Sequence, residues 1–284
     1  MANKKLKAPV NIPVSKIHPF EGNPYKVLDN DEMNTLICSI QEQGILTPII
    51  IRPIENTDEY EVISGHRRLH ATVKAGMKEV PAFIYAVTRD EAAIMLVDSN
   101  LHREHILPSE RAFAYKLKLD AIKHQGKTSV QLAQKLSVEV VGESAGESKD
   151  KVRRYIRLTY LIPELLELVD EEKIALTPAV ELSYLTDEEQ YSLLGTIEEE
   201  DRTPSLSQAV RFKKLSQAGE LSDESIETIM QEDKANQKPM FKVSMERLQK
   251  VAPKVKDKDF EDFVLKACEH YYRYLLRQRD RDSR

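Results

Sequence analysis

The apolar pattern of the chain changes character near Pro108, and this change limits the fold more than any other feature. Up to about Leu101, short runs rich in β-branched residues, such as "PIIIRP" and "YEVIS", alternate with segments of helical periodicity. After Pro108 only helical patterns remain. We therefore predict an α+β protein, with an α/β N-terminal domain followed by helical domains.

Three domains are expected from the 284 residues and from shifts in composition. The first spans 1–106, and the second, which is all helical, spans 107–230. A polar stretch, "MQEDKANQKPM", predicts a linker within a third part, 231–284. That part ends in a helical pattern from Lys258 to Arg279, whose aromatic face is a candidate dimer surface or simply core.

The stretch "VISGHRRLHA" places cations where a predicted strand passes into a predicted helix. Helix starts normally favour acidic residues, because their free N–H groups and dipole make that end positive. His66, Arg67 and Arg68 at such a position suit a bound anion, and Gly65 would let the backbone approach it closely. The stretch therefore predicts a phosphate-binding loop.

The segment 137–158 has the spacing of a helix-turn-helix. Gly142 lies where two helices would approach closely, and Gly146 lies at the tight turn. Ser148 is expected to cap the second helix, the recognition helix. Glycine inside a helix costs about 1 kcal/mol relative to alanine, so two glycines here indicate a specific geometric need.

The predicted recognition helix is strongly basic and would bury Val152 and Ile156. A helix in the major groove needs buried apolar residues on one side and donors to bases and phosphates on the other. An ordinary basic helix of a helical bundle is the alternative. The DNA-binding candidates are Ser148, Lys149, Lys151, Arg153, Arg154 and Arg157, although Arg157 could instead pair with an acid near the helix end.

The overall charge excludes one class of function, since a net charge of -5 and a pI near 5.9 do not suit blanket binding of nucleic acid. A local basic surface stays compatible with these values. Cys38 and Cys268 lack metal-ligand spacing and are expected to be reduced thiols. Without a signal-peptide pattern or an apolar run of about 18 residues, we expect a cytoplasmic protein and no membrane span.

The motifs "GILTPIIIRP", "ISGHRRLHA" and "DSNLHREHILPSERA" occur in this order before the helix-turn-helix. This arrangement resembles the ParB family of plasmid and chromosome partition proteins, from about Val10 to about Leu185. It looks most like ParB-like proteins of Gram-positive mobile elements. The resemblance implies a ParB/sulfiredoxin-like N-terminal domain, a homodimer on a centromere-like site in double-stranded DNA, and a ParA-type ATPase as partner. Such a protein would be associated with the nucleoid or a plasmid.

In that family the three motifs line a pocket for CTP with Mg²⁺, and the resemblance implies the same here. Asn100 would be a ligand of the metal. Pro48 falls in the first motif beside Thr47. Carried over by position, the nucleotide-binding candidates are Thr47, Gly65, His66, Arg67, Arg68, Asn100 and Arg103.

Three positions depart from the family motifs. His66 stands where the motif has a glutamate, His70 where it has an arginine, and Ser99 where a glutamate would help to hold Mg²⁺, although Asp98 lies beside it. Because hard cations prefer oxygen ligands, we expect a weakened metal site and at most weak CTPase activity. With a reference pKa of about 6.5, His66 predicts tighter CTP binding near pH 6 than near pH 8.

Three other functions stay open. The chain could be a transcriptional regulator that has lost nucleotide binding. It could also be a phosphotransfer enzyme of the sulfiredoxin fold, whose phosphate loop reads G-C-H-R, although no cysteine precedes Arg67 in this loop. Finally, the spacing of His66 and His70, and of His102 and His105, is compatible with Zn²⁺.

Overall fold

Five strands form one mixed sheet in the first part of the chain. The computed structural model describes residues 8–101, 103, 105–125, 130–232, 249–252, 255 and 260–282. In the spatial order β1-β5-β3-β4-β2, the pairs β1–β5 and β3–β4 are antiparallel, whereas β3–β5 and β2–β4 are parallel. The strands are β1 (Val10–Pro13), β2 (Ile17–His18), β3 (Ile49–Pro53), β4 (Tyr60–Ser64) and β5 (Glu79–Ile84).

Helices α1 (Asp31–Gln43), α2 (His66–Lys74) and α3 (Arg89–Asn100) accompany the sheet. After α3, every element in the described ranges is helical, which confirms the predicted α+β class. These elements are α4 (Pro108–Gln125), α5 (Val130–Ala145), α6 (Lys149–Arg157), α7 (Pro163–Asp170), α8 (Leu176–Leu182), α9 (Asp187–Glu200), α10 (Leu206–Ala218), α11 (Asp223–Gln231) and α12 (Phe260–Asp282), with a short 3-10 turn at Leu158–Tyr160.

The sheet lies between helices because neighbouring residues of β4 face opposite sides. Successive side chains of a strand alternate between the two faces of a sheet. Val62 packs with Leu69 of α2 in one apolar cluster, and Ile63 packs with Leu96 of α3 in another. The end of β4 therefore delivers the chain to α2 with both faces of the sheet covered.

Helix α4 joins the sheet region to the helices that follow. Ala114 and Ala121 pack in the cluster that contains α3, whereas Tyr115 and Leu119 pack against α5 and α6. Ala112 belongs to a third cluster, formed mainly by the later helices. Three sides of one helix thus contribute to three apolar cores.

Residues up to Glu232 form one compact unit, and those from Asp233 onward form a second. The expected boundary at 106 separates strands from helices, but the packing of α3 on α4 continues across it. The division into three domains stays a prediction, and most of the expected linker, 233–240, lies outside the described residues. Within the described ranges, no helix is long and apolar enough to cross a membrane.

The segment 137–158 folds as the second half of α5, a turn and α6. Gly146 has φ +65°, a conformation that side chains other than glycine rarely adopt. A Cβ on Gly142 would lie 2.6 Å from the carbonyl oxygen of Glu147, so glycine is required for the close approach of helix and turn. Both geometric expectations for these glycines agree with the structure.

We expect Gly142→Ala and Gly195→Ala to change stability in opposite directions. The new Cβ at Gly142 would meet backbone, and such overpacking lowers the free energy of unfolding by about 1–3 kcal/mol. Gly195, within α9, has nothing within 4 Å of an added Cβ, so alanine there raises it by up to about 1 kcal/mol. Urea denaturation followed by circular dichroism measures both. Equal stabilisation by the two substitutions would contradict the close contact at the turn.

Candidate functional site

A cavity of about 640 Å³ lies where β4 passes into α2. Its walls come from the segment 23–27, helix α1, the start of α2 and the end of α3. It brings together six of the seven nucleotide-binding candidates; the exception is Thr47. The lining residues are Asn23, Tyr25, Lys26, Val27, Glu32, Thr35, Leu36, Ser39, Ser64, Gly65, His66, Arg67, Arg68, Ser99, Asn100 and Arg103.

Gly65 lies between β4 and α2 in a left-handed conformation, with φ 102°. A Cβ at this position would lie 2.7 Å from Cγ2 of Ile49 and 3.2 Å from an Nη of Arg68. Helix α2 has no side-chain cap at its N-terminus and no acidic residue in its first turn. The residues of its first turn line the cavity, so the positive end of the helix dipole lies beside it, as an anion site requires.

The two arginines of the loop have different surroundings. The Arg67 guanidinium forms an ion pair of 3.0 Å with Glu32 of α1, and both side chains are exposed. Arg68 is half-buried and donates to the carbonyl oxygens of Thr47 and Pro48, the latter at 2.8 Å. Thr47 thus contributes through its backbone, by holding Arg68, and its side chain does not line the cavity.

His66 is neutral at ordinary pH. Its burial, together with nearby Arg103, lowers the imidazole pKa to about 4, although Glu61 acts in the opposite direction. The Nε2 atom accepts a hydrogen bond of 3.3 Å from the backbone N–H of Phe20, which only an unprotonated nitrogen can do. This pKa contradicts the expectation that mild acid charges His66 in the protein without nucleotide; the pH dependence of CTP binding stays a prediction.

The residues at the end of α3 are largely engaged with their own helix or with α4. Asn100 donates its amide to the carbonyl of Leu96 at 2.8 Å, and Ser99 Oγ donates to the same carbonyl at 3.0 Å. Asp98, which sequence placed beside a metal site, forms an ion pair with buried Lys118 of α4 and does not line the cavity.

His66 and His70 have separate partners. His66 accepts from Phe20, whereas His70 bonds to Asp29 at 2.8 Å on the surface. His102 lies outside the described residues. Among the residues that are described, no three His, Cys, Asp or Glu side chains are grouped to hold a metal ion. The spacing of His66 and His70 therefore corresponds to two separate hydrogen bonds.

The segment 23–27 was not identified from sequence, yet it forms one wall of the cavity. The backbone N–H of Tyr25 donates a hydrogen bond to Asn23 Oδ1. The backbone N–H of Lys26 donates to a carboxylate oxygen of Glu110 in α4, at 2.8 Å. The Arg103 guanidinium lies 5.6 Å from the centroid of the Tyr25 ring. The Asn23-Pro24 pair signals a turn, but nothing in it indicates a cavity wall.

Helix α6 presents the expected basic face. Ser148 caps it by accepting from the N–H of Lys151 at 3.3 Å, and Val152 is buried beneath it. Three of its cations are about half exposed and carry surface ion pairs of 2.9–3.4 Å. These pairs are Lys149 with Glu139, Lys151 with Glu147 and Arg153 with Asp150. The pairs of Lys149 and Arg153 are exposed on both sides and contribute little, so these two cations can exchange their partners for phosphates, whereas Glu147, the partner of Lys151, is nearly buried.

Arg157, for which the sequence left open a DNA contact or a pair with an acid, is bonded within the helical region to a serine and to aromatic rings. Its guanidinium donates to Oγ and the carbonyl oxygen of Ser183, at 3.0 and 2.6 Å, and lies 4.4 and 3.9 Å from the rings of Tyr160 and Tyr184. These contacts engage the guanidinium within the helical region, so Arg157 is less available for DNA than the exposed cations of α6. Arg154 bonds to Thr177 Oγ1, but only through one Nη.

The turn before α6 is fixed to α4 by Glu147. This carboxylate is nearly buried and accepts from Arg111 at 3.1 Å and from the Tyr115 hydroxyl at 2.9 Å. Three residues further along α4, Lys118 also donates to Ser144 Oγ of α5 at 2.6 Å. Helix α4 therefore holds both the segment 23–27, through Glu110, and the helix-turn-helix.

Changing His66 to glutamine is expected to reduce the acid sensitivity of the fold. Because the folded state keeps the His66 pKa near 4, the unfolded chain alone takes up this proton as pH falls from about 6.5 to about 4. The wild-type free energy of unfolding therefore declines across this window, and the free energy of unfolding of His66→Gln should decline less. Urea denaturation at several pH values measures it. His124→Gln, at a largely exposed ring, is the control, and equal slopes for wild type and His66→Gln would contradict the assignment.

Comparison with known proteins gives a consistent result. A family model described as the ParB N-terminal domain matches residues 2–101. The nucleoid occlusion protein of Listeria innocua is 32% identical over 191 residues, which cover 67% of this chain and 63% of that protein. The chromosome-partitioning protein Spo0J of Thermus thermophilus is 31% identical over 202 residues, covering 71% and 70%.

Among solved structures, the C-terminally truncated chromosome-partitioning protein ParB of Caulobacter crescentus, complexed to the centromeric parS site, is 20% identical. The match has a TM-score of 0.42 and covers 78% of this chain and 98% of that one. The chain spans less than two thirds of the length of the Listeria relative. The identity and coverage shared with the Thermus protein, together with the matching N-terminal domain, show that the chain belongs to the ParB family.

Proposed function

We propose that the chain is a site-specific binder of double-stranded DNA that acts in the partition of a chromosome, plasmid or mobile element. We further propose that it binds CTP in the cavity at Gly65. The observation that carries the DNA-binding proposal is the basic face of α6. Relatives named for nucleoid occlusion and chromosome partition support the same class of function.

The DNA-reading role rests on how α6 is held. Val152 anchors one side in the core, while Ser148 and Glu147 fix the N-terminus and the preceding turn. The side chains of Lys149, Lys151 and Arg153 are each about half exposed. A recognition helix needs this rigidity, because base contacts depend on the position of side-chain donors in the major groove.

The nucleotide-binding role rests on the concentration of positive charge in the cavity. Lys26, Arg67, Arg68 and Arg103 line it, and the N-terminus of α2 opens into it. The volume lies in the range of roughly 300–1,000 Å³ that small-molecule sites occupy. The choice of CTP comes from the family resemblance, and hydrolysis of CTP stays an expectation from the same source.

A homodimer would give paired half-sites and higher affinity for DNA than one helix-turn-helix. Helix α12 exposes several aromatic side chains, among them Phe263, Tyr271 and Tyr272. Such a concentration of exposed apolar surface favours association, and a second copy of the chain is the proposed partner. The ParA-type ATPase partner and the association with nucleoid or plasmid are expectations from the resemblance.

The alternative is a DNA-binding regulator without nucleotide. It is favoured by the internal partners of the loop cations, since Arg67 is paired with Glu32 and Arg68 with two carbonyl groups. A sulfiredoxin-type phosphotransfer enzyme has less support. Cys38 is exposed on α1 and does not line the cavity, so among the described residues no thiol faces the proposed phosphate position.

We expect Arg153→Ala to weaken binding to the specific DNA site by about 1–3 kcal/mol if it contacts a base. Lys149→Ala, as a phosphate contact, should weaken binding to all sequences and flatten the salt dependence. The site is first located by footprinting on the neighbouring genomic DNA, and fluorescence anisotropy then measures affinity. Arg89→Ala, at an exposed arginine on α3 paired with Glu21, is the control. Wild-type binding by both variants would make the assignment of α6 wrong.

We expect Arg67→Ala to weaken CTP binding about tenfold or more, because charge-assisted hydrogen bonds to phosphate are lost. This substitution is preferable to Arg68→Ala, since Arg68 also holds the backbone at Thr47 and Pro48. Lys74→Ala, at the other end of α2 and paired with Asp29, should bind CTP like the wild type. Calorimetric titration with CTP, ATP and GTP, with DNA present, measures this. If no nucleotide binds at millimolar concentration, the regulator alternative replaces the nucleotide-binding proposal.

A further inference from the structure

The carboxylates near the cavity do not form a site for Mg²⁺, the metal that the family resemblance implies. Mg²⁺ requires near-octahedral oxygen ligation and is usually bound through one or two carboxylates in addition to phosphates and water. Glu32 is the one carboxylate among the described lining residues, and it is ion-paired with Arg67 at 3.0 Å. Ser99 occupies the family's glutamate position, and its hydroxyl is bonded to Leu96.

Asp98 is not available as a replacement ligand. It is the carboxylate partner of Lys118, whose side chain is only 3% exposed. Moving Asp98 to a metal would leave a buried ammonium group with Ser144 as its remaining partner among the described residues. Asp98 itself is about half exposed, but its departure would leave the buried Lys118 ammonium without a carboxylate partner among the described residues, which is unfavourable. The fold therefore holds Asp98 away from the cavity.

Asn100 offers a single amide oxygen. Its Nδ2 atom is fixed by the carbonyl of Leu96 at 2.8 Å, and its remaining oxygen is a neutral ligand without a neighbouring carboxylate. His66, which replaces the other motif glutamate, has its Nε2 atom engaged by the N–H of Phe20. The donor set present therefore does not fit Mg²⁺, and the Asn100 metal-ligand expectation is corrected.

The cavity instead carries the charge that a metal would otherwise supply. The side chains of Lys26, Arg67, Arg68 and Arg103 are cationic, and Glu32 is the one carboxylate among the described lining residues; Lys26 is also paired, at 3.6 Å, with Asp170 outside the lining. The left-handed Gly65 also leaves the first amides of α2 open to a phosphate. A divalent cation entering this region would be repelled by like charges at short range.

We propose that this cavity binds the triphosphate of its nucleotide without a divalent cation, with the arginines, Lys26 and the N-terminus of α2 neutralising the phosphates. The inference rests on the nucleotide-binding role proposed above. Free triphosphate, which carries more negative charge than its magnesium complex, is then the preferred form of the ligand.

The test is a calorimetric titration of the full chain with CTP in matched buffers containing either Mg²⁺ or EDTA. We expect CTP to bind in EDTA at least as tightly as in Mg²⁺, allowing for a difference of about threefold between the two titrations. A loss of about tenfold or more in EDTA would overturn the inference and leave the proposed nucleotide binding intact. Absence of binding in both buffers would overturn the inference together with the nucleotide-binding role, so the two failures are distinguishable.

Ser99→Glu supplies the missing carboxylate at an exposed position at the end of α3. If the donor set decides the metal requirement, this variant should bind CTP about tenfold more tightly with Mg²⁺ than with EDTA. Ser207→Glu, at an exposed serine in the first turn of α10, is the matched control and should stay metal-independent. Equal binding by Ser99→Glu in both buffers would contradict the role assigned to the donor set.

Discussion

The buried ammonium group of Lys118 is the interaction on which the arrangement of the two candidate sites depends. It lies between Asp98, near the end of α3, and Ser144, near the end of α5. A buried lysine is tolerated only when its charge is paired and its donors are satisfied. Both contacts must therefore persist for α4 to stay packed. They fix the end of α3, which lines the cavity, and the helix-turn-helix to the same helix.

Local features of the fold were predictable from sequence, because each depends on a few neighbouring residues. The change from strand to helix patterns, the glycines at the loop before α2 and at the turn before α6, and the Ser148 cap all belong to this class. Contacts between distant residues were not predictable. Arg157 meets Ser183, which lies 26 positions away, and no periodic signal indicates such a partner.

The same distinction applies within the candidate cavity. The loop at Gly65 was identified because glycine and cations together indicate a phosphate position, whereas the wall formed by 23–27 depends on a hydrogen bond to Glu110, 84 positions from Lys26. The protonation state of His66 was also out of reach, since its pKa depends on burial and on Arg103. Net charge did not locate either site, because several exposed cations of both sites are matched by nearby acids.

The partners of Glu147 determine which cation of the recognition helix can leave its place at little cost. Lys151 is bonded to this nearly buried carboxylate, but Arg111 and the Tyr115 hydroxyl are bonded to it as well. When Lys151 turns toward a base or a phosphate, Glu147 keeps two partners and no buried charge is left alone. Lys118 has no such substitute for Asp98 among the described residues. In the proposed DNA-binding role, Lys151 can therefore exchange partners, whereas Lys118 has to keep its ion pair with Asp98.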